Sequence, residues 1–279
     1  MEVKDWLETE DQLCIDIVDR KYLLEEDVLG HKETMDELLD RISGGNKKAR
    51  NLIARRKFIP GGRIIANRGL DKYGMKVTYS NCYVNDPPED NIESIYKTCA
   101  ELARTFSYGG GCGIDISKLA PAGAKVNNTA RYSTGAISFV NTFSEVAETI
   151  GMKGRRAALM LSIDGHHPDT PEFITHKSDL GVTQGANMSV RVGQDFFDAI
   201  KEDKDWRMSF SRPEVDTVIT KTIKARELLN MIAKTNWDYA EPGLLYWDTI
   251  SNYNLMSEDP NFEYAGTNPC ADNIYYLSI

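Results

Sequence analysis

The sequence predicts an α/β protein that begins with a helical, charged segment. Three observations carry this expectation. Apolar residues recur at helical spacing in several stretches. Short apolar or β-branched runs stand between those stretches. One of them, Ala157 to Ile163, is continuously apolar apart from Ser162, the pattern of a strand buried on both faces. Alternation of helix with buried strand implies an α/β architecture.

The elements follow in order. Trp6, Leu13, Ile15, Ile17 and Val18 form an imperfect apolar stripe. Met35, Leu38, Leu39 and Ile42 form a cleaner one, ended by Gly44-Gly45. Phe58-Ile59-Pro60-Gly61-Gly62-Arg63 breaks regular structure. Thr78 to Val84 reads as a short strand. Ile92, Ile95, Cys99, Leu102 and Phe106 give a helix, with Asp90 and Glu93 spaced as a capping box. Ala136 to Ile150 gives a second helix, stopped by Gly151. After the buried run, Asp169-Thr170-Pro171 opens a short helix with a cap and a first-turn proline. Met188 to Val192 reads as strand, Phe196 to Ile200 and Leu228 to Trp237 as helices, and Leu244 to Trp247 as strand.

Composition bounds the function. A chain of 279 residues can bury a sizeable core. A net charge of −9 argues against non-specific binding to nucleic acid but leaves nucleotides open. No apolar run is long enough to span a membrane, and the N-terminus has no secretory pattern, so the expected compartment is the cytoplasm. There the five cysteines are expected as thiols, with any disulfide catalytic rather than structural. None forms a Cys-x-x-Cys pair. The neighbouring histidines His166 and His167 do not face the same way, so no metal site is expected.

Several motifs have two readings. Gly109-Gly110-Gly111-Cys112-Gly113 could bring backbone amides to a phosphate or form a tight turn, and it matches neither a Walker loop nor a dinucleotide fingerprint. Gly151 to Arg156 could hold a phosphate or a nucleobase edge with Arg155 and Arg156 or be a solvated basic loop. Asp90 could cap its helix or accept from a ribose hydroxyl. Cys99 and Cys14 are expected in packing, and Cys112 as a small filler. In Asn268-Pro269-Cys270-Ala271-Asp272, proline favours an extended residue before it. If the segment stays extended, Asn268, Cys270 and Asp272 share one side, an amide, a thiol and a carboxylate suited to catalysis.

Taken in order, Asn81-Cys82-Tyr83-Val84, Tyr108 to Pro121, Lys153-Gly154-Arg155-Arg156 and Gly266 to Ala271 resemble the large, catalytic chain of ribonucleotide reductase. The likeness runs from about Lys57 onward. Asn-Pro-Cys-Ala and the segment from Phe58 to Arg63 look most like the adenosylcobalamin-dependent class. The alternative is a class that receives its radical from a separate metal-containing subunit.

The resemblance implies residues 1–56 as a helical segment. It implies 57–272 as the first part of a ten-stranded α/β barrel ending at the finger loop, and 273–279 as a non-family tail. It assigns Cys270 as the thiyl-radical residue and Cys82 as one of two reducing thiols. Asn268 would hold substrate hydroxyls, and Asp272 stands at the position of the base. Pro60, Asn81, Gly110 and Gly111 would line the substrate. Asp90, Ile92, Lys118, Arg155 and Arg156 would belong to the site for a dNTP or ATP effector and its relay. Implied partners are a ribonucleoside di- or triphosphate, the complementary barrel half, an external thiol reductant such as thioredoxin, and a second copy in a homodimer.

The sequence also departs from the family. Asp272 replaces a glutamate, withdrawing the carboxylate by about 1.5 Å. Met152, Ala157 and Ala120 stand where a glutamine, a glycine and an effector-contacting arginine are common. The second redox cysteine, the later phosphate-binding turn and the C-terminal cysteine pair would lie downstream. Half a barrel leaves strand edges and an interior face uncovered, which predicts self-association. Against a working reductase stand two other readings, a nucleotide-binding remnant and an inactive truncation product.

Overall fold

The structure is a computed structural model, and it describes all residues except 151–156, 180–182, 213, 214, 216, 255, 257, 260, 261, 263 and 272–279. The chain forms two compact units, Met1–Asn81 and Cys82–Ile279.

The first unit is helical: α1 (Val3–Leu7), α2 (Gln12–Lys21), α3 (Glu26–Leu29), α4 (Met35–Ser43), α5 (Lys47–Ala54) and α6 (Gly62–Asn67). Helix α4 starts with a capping box in which Thr34 accepts from the Glu37 amide and Glu37 accepts from the Thr34 amide. It stops at Gly44, which takes the left-handed conformation that suits glycine. Its stripe Met35, Leu38, Leu39 and Ile42 is buried with Trp6, Val18, Ile53 and Ile65. Arg41 and Glu33 form a buried ion pair at 2.6 Å, and Arg41 also donates to the Arg68 carbonyl, tying α4 to the end of α6.

The stripe expected on α2 is corrected. Val18 is buried, but Leu13 is 67% exposed. Cys14, expected in packing, is exposed as well. It lies in the first turn, where its thiol donates to Asp11, the residue that caps the helix on its solvent side.

The second unit is built on a parallel sheet. Its strands are β1 (Cys82–Val84), β2 (Gly111–Asp115), β3 (Leu159–Asp164), β4 (Ala186–Val192) and, after an intervening hairpin, β7 (Gly243–Tyr246). The order is β1-β2-β3-β4-β7, every neighbouring pair parallel. Helices α7 (Ile92–Ser107), α8 (Ile137–Thr149) and α9 (Thr170–Thr175) make the first crossovers. After β4 come α10 (Gln194–Lys201), the antiparallel hairpin β5 (Asp205–Arg212) and β6 (Thr217–Lys224), and α11 (Ala225–Tyr239). Helix α12 (Trp247–Asn252) follows β7.

Strand alternation gives this sheet two unlike faces. Cys112, Ile114, Leu159, Leu161, Ile163, Met188 and Val190 belong to one apolar cluster with residues of α7, α8, α9, α10 and α11. The run expected to be buried on both faces is β3, in the middle of the sheet, with Leu159 to Ile163 all buried. Its other face, carrying Met160 and Ser162, is in register with Gly113 and Asp115 of β2.

Two helix caps differ from expectation. The N-cap of α7 is Asn91, which accepts from the Ser94 amide at 2.8 Å, not Asp90. Asp90 instead accepts from the Ala120 amide. Asp169 occupies the N-cap position of α9 without capping it. Its fully buried carboxylate instead accepts from the amides of Ala122 and Ala136, clamping the long loop between β2 and α8. A carboxylate with several backbone donors in reach outside its own helix satisfies more orphan groups that way than at its own N-terminus.

The hairpin β5–β6 carries no expectation from the sequence. Trp206, Met208 and Phe210 alternate with Arg207, Ser209 and Ser211, which is a period of two. The polar partner strand, rich in threonine and lysine, hides the pairing.

Candidate functional site

The polar face of the sheet is crossed by the segment Gly266 to Pro269. Its path is set by glycine. A Cβ placed on Gly113 would lie 1.6 Å from the Thr267 carbonyl oxygen and 3.1 Å from the Asn268 Cα. One placed on Gly111 would lie 3.3 Å from the Pro269 ring and from Ala158. Alternate residues of one strand share a face, so Gly111 and Gly113 pave a track for a backbone lying directly on β2. Cys82 pairs with Gly111 in the register, and Val84 with Gly113. Cys82 therefore stands on the same face, one strand over from where Pro269 rests.

The segment ends in a turn, not in an extended strand. Ala271 donates to the Asn268 carbonyl at 3.0 Å, with Pro269 at the second position, where proline is favoured. Ala271 has a φ of 56°. This corrects the alternation expected for Asn268, Cys270 and Asp272. Asn268 is fully buried against the sheet, while Cys270 is exposed at the turn. Pro269, expected to favour an extended Asn268, stands at the second position of the turn, so the condition on which the alternation depended is not met. Asp272 lies outside the described residues, as do Arg155 and Arg156.

The other cysteines of this unit are separate from that face. Cys99 is in the core on α7. Cys112 points into the core from β2, donates to the Asn85 side-chain oxygen at 2.8 Å, and has its pKa pushed up to about 12 by burial. A thiol held so far from ionisation is inert packing, as expected of a small filler. All five cysteines are thiols.

Further along the polar face the strand ends carry charge. Asp115 accepts from the Ser162 hydroxyl at 2.7 Å and pairs with Arg191 at 3.0 Å. The Arg191 guanidinium lies over the Trp247 ring, 4.5 Å from its centre. Arg191 and Ser162 had no place in the sequence expectations. Their alternation with the apolar residues of β3 and β4 is the signal that could have found them.

A second feature is a cleft of about 610 Å³ lined by Glu89, Asp90, Asn91, Ser117, Lys118, Phe210, Ser211 and Arg212. It gathers two of the expected effector residues, Asp90 and Lys118, while Ile92 is exposed on the first turn of α7 nearby in sequence. Asp90 pairs with Arg212 at 3.0 Å, and Lys118 pairs with Glu89. Phe210, Ser211 and Arg212 come from the hairpin, which the sequence did not reveal. The wall behind is held by His167. It bonds the Leu119 carbonyl through Nε2 at 2.9 Å, and its Nδ1 accepts from the Asp169 amide. These partners fix the neutral tautomer with the proton on Nε2, and burial lowers the His167 pKa.

Gly110 leads into β2, and a Cβ there would meet the Tyr83 ring at 2.7 Å. The remaining expected residues belong to the first unit. Pro60 lines a hollow of about 490 Å³ with Phe58, Ile64 and Arg68, and the Asn81 side chain accepts from Arg63 at 3.2 Å. Among the described residues no helix is long and apolar enough to cross a membrane.

The model of the ribonucleotide reductase barrel domain matches residues 80–278. The match takes in most of the segment set apart above as a non-family tail. A vitamin B12-dependent ribonucleoside-diphosphate reductase of Thermoplasma acidophilum is 33% identical over 260 residues, covering 90% of this chain and 32% of that protein. Its counterpart in Mycobacterium tuberculosis is 28% identical over 277 residues, covering 93% of this chain and 39% of that protein. A vitamin B12-dependent ribonucleotide reductase of Rhodopirellula baltica is 26% identical over 221 residues, 70% of this chain and 21% of that protein. The chain thus spans well under half the length of these relatives.

Proposed function

This chain belongs to the ribonucleotide reductase barrel-domain family, and on that premise we propose that it supplies the first part of the barrel of an adenosylcobalamin-dependent ribonucleotide reductase. The carrying observation is the shared face. Cys82 and the segment that presents Cys270 lie over adjacent strands, β1 and β2, on the polar side of the sheet. The five strands β1 to β4 and β7 are the floor, and the remaining strands come from polypeptide beyond these residues.

In this reading Cys270, as a thiyl radical, takes the hydrogen from the 3′ carbon of the substrate ribose. Adenosylcobalamin, when bound, supplies the radical chemistry that oxidises this thiol, and exposure of Cys270 on its turn leaves it open to approach. Cys82 and a second thiol from the rest of the barrel give up two electrons and two hydrogens. The 2′-hydroxyl leaves as water, the two thiols become a disulfide, and Cys270 returns its hydrogen to the 3′ carbon. Asn268, fixed by burial, orients the ribose hydroxyls, and Asp272 takes the proton of the 3′-hydroxyl. Gly110 and Gly111 line the substrate, a ribonucleoside di- or triphosphate. An external thiol reductant such as thioredoxin resets the disulfide. The cleft around Asp90 and Lys118 binds a dNTP or ATP effector, with Ile92, Arg155 and Arg156 as further contacts, and a second copy of the chain completes a homodimer.

The test is reconstitution with a polypeptide carrying the rest of the barrel, assayed for deoxyribonucleotide with adenosylcobalamin and a dithiol. Turnover that is abolished by Cys82→Ala and by Cys270→Ser supports the proposal. Nucleotide binding without turnover, with the complement present, favours the reading of a nucleotide-binding remnant. Turnover that survives Cys270→Ser overturns the assignment.

A further inference from the structure

We propose that Arg212, at the end of β5, is an anion-binding side chain of the Asp90 cleft. It stands in for the arginine that Ala120 replaces, and with Lys118 it meets the phosphates of a nucleoside triphosphate. The inference rests on the effector reading of that cleft.

One carboxylate joins the two positions. Asp90 accepts from the Ala120 amide through Oδ1 at 3.0 Å, and its Oδ2 lies 3.0 Å from Nη1 of Arg212. A guanidinium from a distant part of the chain thus stands beside the residue that lacks one. The methyl of Ala120 offers a ligand no charge.

Arg212 is held in place by the strand that carries it. It shares a face of β5 with Trp206, Met208 and Phe210. The Trp206 indole donates to the Gly165 carbonyl at 2.7 Å, Met208 is buried, and Phe210 meets the His167 ring edge-on. The Ser209 amide also bonds the His166 carbonyl. A side chain at the end of so many fixed neighbours loses little freedom when it binds, which favours affinity.

The chemistry of the cleft selects the ligand class. Its volume of about 610 Å³ lies in the range of small-molecule sites. Lys118 and Arg212 bring positive charge to a space that Asn91, the N-cap of the 16-residue helix α7, also lines. Glu89 and Asp90 now balance the two cations. A guanidinium has five N–H donors in a planar fork, and Asp90 takes two described contacts from it, one to its carboxylate and one at 3.3 Å to its carbonyl. A phosphate can therefore share Arg212 with Asp90, while Lys118 leaves Glu89 for a multiply charged ligand. A triphosphate carries enough charge to compete with both carboxylates, and a neutral nucleoside does not.

The test is calorimetric titration of the 279-residue chain with each of the four dNTPs and with the matching deoxynucleosides. The variants are Arg212→Ala, Arg212→Gln and Arg212→Lys. The expected result is triphosphate binding weakened about ten- to a hundred-fold by Arg212→Ala and Arg212→Gln, partly restored by Arg212→Lys, with deoxynucleoside affinity unchanged. Wild-type triphosphate binding should also weaken as salt rises, a measurement that needs no variant to fold.

If the wild type binds no dNTP, the effector reading falls and this inference falls with it. If the wild type binds and Arg212→Ala binds equally well, the effector reading stands and the role of Arg212 is overturned. Equal loss of triphosphate and nucleoside would make Arg212 a prop for Asp90, which also overturns it, as does salt-independent binding by the wild type.

Discussion

Replacing Gly113 with alanine tests the track on which the Cys270 segment lies. The added Cβ would stand 1.6 Å from the Thr267 carbonyl oxygen, and an ordinary contact of 3.4 Å requires a shift of about 1.8 Å. The obstructing atoms are backbone, so no rotamer change relieves them. Lifting the segment would uncover Thr267 and Asn268, which are 1% and 0% exposed. Overpacking costs about 1–3 kcal/mol and unpairing a buried polar group a similar amount, so we expect a loss of about 3 kcal/mol. For a unit of this size that lowers the melting temperature by roughly 6–12 °C. Gly113 does not have a positive φ, so without the clash alanine would stabilise by about 0.4–1 kcal/mol through the unfolded chain. The two accounts differ in sign. Gly111→Ala is the control: its Cβ would meet Ala158 and Pro269 at 3.3 Å, so a shift of a few tenths of an ångström suffices. Urea and thermal melts give the stabilities, and exchange of the Ala271 amide, bonded to Asn268, reports seating of the turn. Unchanged or raised stability of Gly113→Ala, with Ala271 still protected, would refute the close approach.

Three further outcomes are expected. In native protein at pH 8, iodoacetamide should label Cys270 while Cys112 stays unmodified until the chain unfolds, because burial pushes the Cys112 pKa up to about 12; peptide mass spectrometry reads this directly. Asp169→Ala should cost about 3 kcal/mol in urea melts, since it strands the Ala122 and Ala136 amides and removes the carboxylate paired with Lys221. Burial lowers the pKa of His167 and of His176, so below the ordinary histidine value of 6.5 the unfolded chain takes up protons that the folded chain does not. Stability should therefore be full above that pH and fall as pH drops through it; comparing urea midpoints at pH 7.5 and 5.5, His167→Gln should show a smaller drop than wild type.

The core was legible where one physical rule governed a stretch. Leu159 to Ile163 read as a doubly buried strand, and all five residues are buried, with Leu159, Leu161 and Ile163 in the cluster that the helices cover. The stripe on α4 read correctly because a capping box and a glycine fixed both ends. What escaped depended on distant partners. Asp169 sits at an N-cap position and Asp90 one residue before one, yet each carboxylate serves a loop about 30 residues later or earlier in the chain, and local spacing carries no trace of that. The hairpin escaped because Lys221 takes an alternate position that an apolar residue would mark, and it bonds Asp169 there. At the candidate site the residue types were legible and the geometry was not. Proline next to Asn268 suggested extension, whereas the contact that decides the conformation is with Gly113, about 150 residues earlier.

That separation has a consequence for the order of assembly. Every strand of the floor, through Tyr246, leaves the ribosome before Gly266 does. The track at Gly111 and Gly113 can therefore form first, and the thiol-bearing turn is laid on a finished surface. Closing so long a loop costs little more than closing a short one, because the entropy grows only logarithmically, but the contact forms slowly. The residue proposed to carry a radical is then the last part of this surface to be placed.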